Sequence, residues 1–456
     1  MKYSLAIDIG ASSGRHILGW MENDKLCIEE IYRFENYLLN EGGSLVWDID
    51  NLVHQVKEGI KKCKEIGKIP ATVAIDTWGV DYALLDENKN LLKPVFGYRD
   101  SRTDEAIKKV EEIISEEEMY KTTGIQKQNF NTVYQLYSDK MTGKLDKAKY
   151  FMMTPAYLSY CLTGVIKNEY TLATTGAFIN AKTYARDTKI TEKLGLNSEI
   201  FGEFLMPGDI IGDFTAEIQD YVGFNATVLF CPSHDTACAV AACPLKENEI
   251  YISSGTWSLI GTEMIEPVLT EEARKSGFSN EGGIEHRFRF LKNYMGMWHL
   301  QNIRKNLNKS MNYDEMMNEA INSGAYDYID VNAREFVAPE NMIQAIRDYL
   351  GKPDMPLGEV INSVYHSLAK SYKEAVLEVE RISGIKAEAI HIVGGGSKDS
   401  YLNRLTAEYT GKKVLAGPVE ATAIGNLISQ IYSQYPEYTL QKLRQVVLKS
   451  FDVVEI

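Results

Sequence analysis

Hydrophobic positions alternate from the first residues of the chain. Tyr3, Leu5, Ile7 and Ile9 are spaced two apart, which predicts a β-strand. The strand runs into Asp8-Ile9-Gly10-Ala11-Ser12-Ser13-Gly14, a turn of small residues, and a second strand is expected over 15–21. Polar Glu22-Asn23-Asp24-Lys25 makes the next turn, and 26–32 reads as the third strand of an antiparallel meander. The period then changes. Leu52, Val53, Val56, Ile60, Cys63 and Ile66 recur at helical spacing, so 50–67 is predicted as an amphipathic helix with Gly67 as its stop. A short strand over 72–75 completes a β-β-β-α-β layer unit of the α/β class.

Farther along, 103–124 reads as one charged helix stopped by Gly124. Residues 125–230 show no sharp pattern, and Tyr134, Tyr137, Tyr157 and Tyr160 there are expected to pack. Residues 311–355 are polar, irregular and expected to be peripheral. A long amphipathic helix is predicted over 358–384, with Ile361, Val364, Leu368, Tyr372, Val376 and Val379 on one face. The apolar strand 389–393 ends in Gly394-Gly395-Gly396-Ser397, followed by a helix over 398–409, a strand over 414–418 and a closing helix over 420–430.

The opening pattern returns at 249–261. Ile250-Tyr251-Ile252-Ser253-Ser254-Gly255-Thr256-Trp257-Ser258-Leu259-Ile260-Gly261 is again strand, small-residue turn and strand. Gly255-Thr256 falls where Gly10-Ala11 does, and Ser253 falls where Asp8 does. A repeat roughly 245 residues apart is what a duplicated α/β domain leaves behind. Two domains are therefore expected, 1–243 and 244–456, with the two turns facing a cleft able to cradle a polyphosphate.

Composition narrows the class without changing this picture. The chain has 456 residues, more than one core holds. Its 45% hydrophobic and 25% charged residues are ordinary for a globular protein. A net charge of -14 argues against wrapping a nucleic acid. No basic segment precedes an apolar run at the start, and no stretch reaches the ~18 apolar residues a membrane span needs. The six cysteines, Cys27, Cys63, Cys161, Cys231, Cys238 and Cys243, form no CxxC pair, so neither a zinc site nor a redox motif is indicated. A cytoplasmic protein with reduced thiols is expected.

Four stretches carry candidate chemistry. At the first turn, small residues bring backbone N–H groups close to a ligand, usually a phosphate. Asp8 is then either a turn cap or the partner of a divalent cation lying between it and the phosphate. Asp76-Thr77-Trp78-Gly79-Val80-Asp81 offers carboxylates, an aromatic face and close approach at Gly79, which suits a sugar; a packed turn is the alternative. In Ser233-His234-Asp235-Thr236 the carboxylate near a helix start is either a proton acceptor or a helix cap. Ser, His and Asp adjacent in sequence are not a hydrolase triad. The three glycines at 394–396 let a nucleotide lie against bare backbone, although the stretch is neither GxGxxG nor a P-loop.

Together these stretches resemble the FGGY family of carbohydrate kinases. The resemblance spans nearly the whole chain and rests on AIDIGASSGR (6–15), IDTWGVDYALLD (75–86), YRDSRT (98–103), PSHDTA (232–237), SSGTWSLIG (253–261), LKNYMGMWHLQ (291–301), VGGGSKDSYLNRLTA (393–407) and AGPVEATAIGN (416–426). It implies two duplicated actin/hexokinase-like, ribonuclease H-like ATPase domains with an interdomain cleft. It implies a kinase using ATP and Mg²⁺ on a small-molecule ketose, L-rhamnulose first, with fuculose or xylulose as alternatives on the same fold. No nucleic acid or membrane partner is implied, and the state is monomer or homodimer. Ala11, Ser12, Ser13, Gly14 and Arg15 would hold ATP phosphates, with Asp8 near the metal. Thr256, Gln301 and Gly395 would contact ATP. Gly79, His234, Asp235, Thr236 and Asn293 would bind the sugar, with Asp235 the proton acceptor. The stretch Tyr98-Arg99-Asp100-Ser101-Arg102 departs from the Trp-containing form of many members, which leaves Arg99 and Asp100 unassigned. A non-catalytic sensor of the same fold is the reading from another class, and the presence of Asp8 and Asp235 weighs against it.

Overall fold

A computed structural model describes residues 2–435 and 437–456. The chain forms two compact units. The first comprises 1–244, 264–290 and 421–450, and the second 245–263, 291–420 and 451–456.

The first unit is built on the opening meander. Tyr3–Ile9 pairs antiparallel with Ser13–Glu22, which pairs antiparallel with Lys25–Glu35. On its other side Tyr3–Ile9 pairs parallel with Pro70–Thr77, so the sheet continues through Thr227–Leu229 to Ile210–Asp213. Leu5, Ile7 and Ile9 are buried on one side with Leu52, Val56 and Ile60 of helix Ile49–Glu65. That helix begins at Asp48, whose side chain accepts the N–H of Asn51. Helix Ala421–Gln434 packs on the same sheet and on helix Asp235–Ala242. Contact is closest at Gly425, where a Cβ would lie 1.8 Å from the Cys238 carbonyl oxygen. A side chain there would push the two helices apart.

A second core fills the region that lacked pattern. Phe151, Phe178 and Phe201 pack edge-to-face and at a tilt, with Tyr134, Tyr170 and Leu172 in the same cluster. Tyr134 and Tyr157 are buried and Tyr137 and Tyr160 pack at the edges, as expected of packing residues. The stretch 103–124 is not one helix. It divides into Asp104–Ile113 and Glu116–Thr123, because Ile114 is extended and Ser115 caps the second helix through the N–H of Glu118. Gly124 does end it, in the left-handed conformation.

The second unit repeats the topology. Ile250–Ser254 pairs antiparallel with Trp257–Met264 and parallel with Ala389–Val393. The sheet order from Phe288–Met295 through Trp257–Met264, Ile250–Ser254, Ala389–Val393 and Lys413–Ala416 matches that of the first sheet from Lys25–Glu35 to Thr227–Leu229. Helix Leu357–Ser383 buries Ile361, Val364, Leu368, Tyr372, Val376 and Val379. After Ala389–Val393 the glycines enter a 3-10 turn, Gly395–Lys398, and Asp399 caps helix Ser400–Thr410. The helix therefore starts two residues later than its pattern suggests, because the Asp399 side chain takes the N–H of Leu402. Among the described residues no helix is long and apolar enough to cross a membrane.

Candidate active site

In the first unit the strand ends gather the polar residues. The turn Gly10–Ser12 is closed by the Gly10 N–H on the Ser13 carbonyl at 2.9 Å. Ser12 is exposed, and Ala11 and Ser13 are half-buried. Asp8 lies opposite Arg15 across the hairpin and beside Asp76 on the parallel strand. The Arg15 guanidinium donates twice to the Asp8 carboxylate, at 2.9 and 2.7 Å. Gly14 lies beyond the turn, where a Cβ would sit 2.1 Å from the Phe34 ring. The glycine at this position makes room for packing.

Asp76 is fully buried. One of its oxygens accepts from Asn426 at 2.7 Å, and Oδ1 has no hydrogen-bond partner among the described residues. Burial first, and then the neighbouring Asp8, push its carboxyl well above the ordinary range. Cys231 and Cys238 approach it, with all three donor atoms within 4.8 Å of one another. The thiols bond to backbone carbonyls, Cys238 to Pro232 at 2.9 Å and Cys231 to Ile75 at 3.4 Å. Sequence spacing gives no sign of this cluster, since Asp76 arrives from another strand.

The 76–81 stretch differs from its sugar-binding expectation. Asp81 is buried and its two oxygens take Trp47 Nε1 at 2.7 Å, Trp78 Nε1 at 2.9 Å, the Tyr98 N–H at 3.0 Å and Gln135 Nε2 at 3.1 Å. Burial still pushes it up to about 6. Trp78 packs at a tilt on Trp47, with ring centres 4.0 Å apart. Neither Asp76 nor Asp81 presents its carboxylate to solvent, and the Trp78 ring is buried. Gly79 remains half-exposed, and a Cβ there would lie 3.4 Å from His234 Nε2. Val80, a β-branched residue, is held at φ +68 by the Thr175 hydroxyl on its N–H and the Thr132 hydroxyl on its carbonyl. A strained residue of this kind persists only where its surroundings over-determine it. Of the two unassigned residues nearby, Asp100 accepts the Leu45 and Arg102 N–H groups, and Arg99 lies over Tyr98.

His234 and Asp235 open helix Asp235–Ala242. Thr77 bridges to His234 in parallel, with its N–H on the Ser233 carbonyl at 3.0 Å, so the helix start sits beside Gly79. The Asp235 side chain is 34% exposed, and His234 Nε2 is 3.3 Å from its Oδ1. The N–H and hydroxyl of Thr236 also donate to Oδ1. His234 Nδ1 faces Glu281 Oε2 at 3.3 Å and Arg289 Nη2 at 3.3 Å. Burial raises Glu281, but Arg289 at 3.0 Å and His234 outweigh it and hold the carboxyl below the usual range. Glu169 braces the same segment by accepting the Ser233 N–H at 3.2 Å as well as those of Thr171 and Leu172. Its burial pushes it up to about 7. Glu169 and Glu281 lie in stretches without periodic signal, and Arg289 opens a stretch that reads as a strand running into a helix; only their contacts mark them as part of the site.

In the second unit a cavity of about 540 Å³ is lined by residues that include Gly255, Gln301, Gly395, Asp399, Asn312 and Met317. Thr256 donates to Gln301 Oε1 at 3.0 Å. A Cβ at Gly395 would meet nothing within 4 Å, so that glycine faces open space, whereas at Gly396 it would strike Ser254 Oγ at 2.0 Å. The structure thus brings Thr256, Gln301 and Gly395 together, and Asn293 stands exposed on strand Phe288–Met295. The expectation that 311–355 is peripheral is corrected here. Asn312 and Glu315 form a capping box that sets helix Tyr313–Ser323 against the cavity. The Asn-x-x-Glu spacing was the available signal.

Residues 3–242 match the N-terminal domain of the FGGY family of carbohydrate kinases, and residues 250–434 match its C-terminal domain. A rhamnulokinase of Oceanobacillus iheyensis is 43% identical over 456 residues, spanning 99% of this chain and 97% of that protein. A rhamnulokinase of Halalkalibacterium halodurans is also 43% identical, spanning 99% and 98%. Among solved structures, a ligand-bound xylulose kinase from Lactobacillus acidophilus superposes with a TM-score of 0.82 at 15% identity, covering 100% of this chain and 93% of that one. That likeness shows the fold, the duplicated actin/hexokinase-like α/β arrangement whose two sheets are described above. With both family domains matched in order over most of its length, the chain belongs to the FGGY family of carbohydrate kinases.

Proposed function

We propose that the protein transfers the γ-phosphoryl group of ATP to the 1-hydroxyl of L-rhamnulose, giving L-rhamnulose 1-phosphate and ADP in rhamnose breakdown. The observation that carries this reading is the His234–Asp235–Thr236 helix start, where the Asp235 side chain is 34% exposed and His234 Nε2 lies against Gly79. The relatives at 43% identity, which are rhamnulokinases, support the choice of sugar. The six free cysteines fit a reducing cytoplasm.

Phosphoryl transfer asks for positioning and charge neutralisation rather than covalent chemistry by the protein. Gly79, His234, Thr236 and Asn293 orient the sugar. Asp235 accepts the proton of its hydroxyl as the oxygen attacks. Ala11, Ser12, Ser13 and Gly14 turn backbone toward the phosphates, and Arg15 adds a positive charge there. Thr256, Gln301 and Gly395 hold the nucleoside, for which the bare backbone at Gly395 leaves room. Asp8 would hold Mg²⁺, a hard cation suited to its carboxylate oxygen. Oδ1 of the adjacent Asp76, without a hydrogen-bond partner among the described residues, is a second oxygen donor of the right kind. When bound, the cation would neutralise phosphate charge.

The test is ADP release with Mg-ATP against L-rhamnulose, L-fuculose, D-xylulose, L-ribulose and glycerol. Strong selectivity for L-rhamnulose is expected, and preference for another ketose would move the substrate while keeping the chemistry. Asp235→Asn should bind the sugar within a few fold of wild type yet lose ~10² or more in kcat; retained turnover would remove Asp235 as the base.

A further inference from the structure

The groups behind His234 form a chain that the reaction as described does not use. Arg289, in the part of strand Phe288–Met295 that belongs to the first unit, is fully buried. Burying a guanidinium is costly unless its donors are matched. Here Nε donates to the Gly282 carbonyl at 3.0 Å and Nη2 meets His234 Nδ1 at 3.3 Å, while Nη1 is ion-paired with Glu281 Oε2 at 3.0 Å outside hydrogen-bond alignment. A guanidinium has donors only and no acceptor. The ring nitrogen facing Nη2 must therefore be the one carrying a lone pair. The proton of the neutral ring is then on Nε2, which lies 3.3 Å from Asp235 Oδ1.

We infer that Arg289 is a positioning residue: it sets the tautomer of His234 so that the proton on Nε2 faces Asp235 Oδ1, 3.3 Å away, and steadies that carboxylate for the sugar hydroxyl. The competing arrangement is also present in the geometry. Glu281 Oε2 is 3.3 Å from the same Nδ1 and would accept a proton from it. In that tautomer the Nε2 lone pair would face the Asp235 carboxylate, two acceptors in contact. Arg289 decides between them by pairing with Glu281 and offering Nη2 to the ring. The Thr236 N–H and hydroxyl, also on Oδ1, reinforce the same choice of oxygen. The assignment rests on the proposed role of Asp235 for its consequence, but the tautomer itself does not.

The first measurement is a long-range ¹H–¹⁵N correlation spectrum of sugar-free protein labelled at histidine nitrogens. The chain has 7 histidines, and His234 is identified by the signal lost in His234→Gln. A protonated Nε2 with an unprotonated Nδ1 is expected. A ring protonated at Nδ1, alone or together with Nε2, overturns the inference. The second measurement is Arg289→Met, in which Glu281 should draw the proton to Nδ1 and kcat should fall by roughly 10- to 100-fold, the usual loss when an orienting partner goes. The KM for ATP should stay within about twofold, and Arg289→Lys should restore both the Nε2–H signal and part of kcat. An unchanged tautomer in Arg289→Met overturns the assignment, and the wild-type spectrum decides the matter if that variant does not fold. Because the spectrum needs neither sugar nor turnover, its failure is distinct from a failure of Asp235→Asn to lose activity.

Discussion

The two hairpins share a backbone plan and differ in what crosses it. In the first, the row through the strand end reads Arg15, Asp8, Asp76 across three neighbouring strands. In the second, the matching row reads Leu259, Ser253, Val393. Pairing directions are the same in both, antiparallel on one side and parallel on the other. One copy thus concentrates charge at its turn, while the other is neutral and sits beside a cavity walled by glycine. A sheet's topology is set by backbone pairing and by the apolar faces it buries, so the residue at a strand end is free to diverge. Duplication kept the scaffold and left the chemistry to single positions.

The largest test of this contrast is a paired substitution. Asp8→Asn should lower kcat by roughly 10² or more, since it removes the carboxylate best placed for the cation. Ser253→Ala, its counterpart, should change kcat by less than about threefold. Steady-state kinetics at saturating Mg-ATP checks both, and equal losses would mean that the second turn is not neutral in function.

Buried carboxyls sharpen the comparison next. Glu169, in the first unit, is pushed up to about 7 by burial that outweighs the N–H groups of Leu172, Thr171 and Ser233. In the second unit, burial also acts against Glu249, but the bond to His391 at 2.7 Å, the Lys246 N–H at 2.8 Å and the charges of those two residues together outweigh it and lower its carboxyl. The two should give opposite slopes of stability with pH. Between about 4.5 and 7 the folded protein holds a proton on Glu169 that the unfolded chain has lost, so stability from this group falls as pH rises. Glu249 works the other way, and its contribution is lost as pH falls through its lowered folded value. Denaturant unfolding of Glu169→Gln should flatten the decline between pH 4.5 and 7 by about 1–3 kcal/mol. A profile unchanged by that substitution would refute the assignment.

The smallest effect is expected at the neutral turn. Thr256→Ala removes one hydrogen bond, to Gln301 at 3.0 Å. A loss of about 1 kcal/mol corresponds to a KM for ATP raised roughly fivefold, with the KM for sugar unchanged. A change in the sugar constant instead would link Thr256 to the other substrate.

Legibility in the sequence followed the strength of the local signal. The alternation of Leu5, Ile7 and Ile9 and the helical spacing of Leu52, Val56 and Ile60 mark their elements because each buries one face. The break at Ile114-Ser115 escaped because charged residues continue at helical spacing through it, and only the Ser115 cap divides the two helices. Gly14 suggested a phosphate turn, but its need for a small residue comes from Phe34, twenty positions on in another strand. Asp81 suggested a sugar partner and is instead the acceptor for two indoles, an amide and a backbone N–H. In both cases the residue type was informative and its partner was not, since partners come from distant segments.

By itself the sequence determined the α/β class, the internal repeat, the turns of small residues and the family, because these follow from periodicity and from contiguous motifs. Tertiary structure alone decided what each polar group faces. It put Asp76 among Asp8, Cys231 and Cys238, drew helix Tyr313–Ser323 to the cavity, and set Glu281 and Arg289 behind His234. The reason is physical: a buried charge or donor must find its match wherever the packed chain supplies one, and sequence distance plays no part in that search.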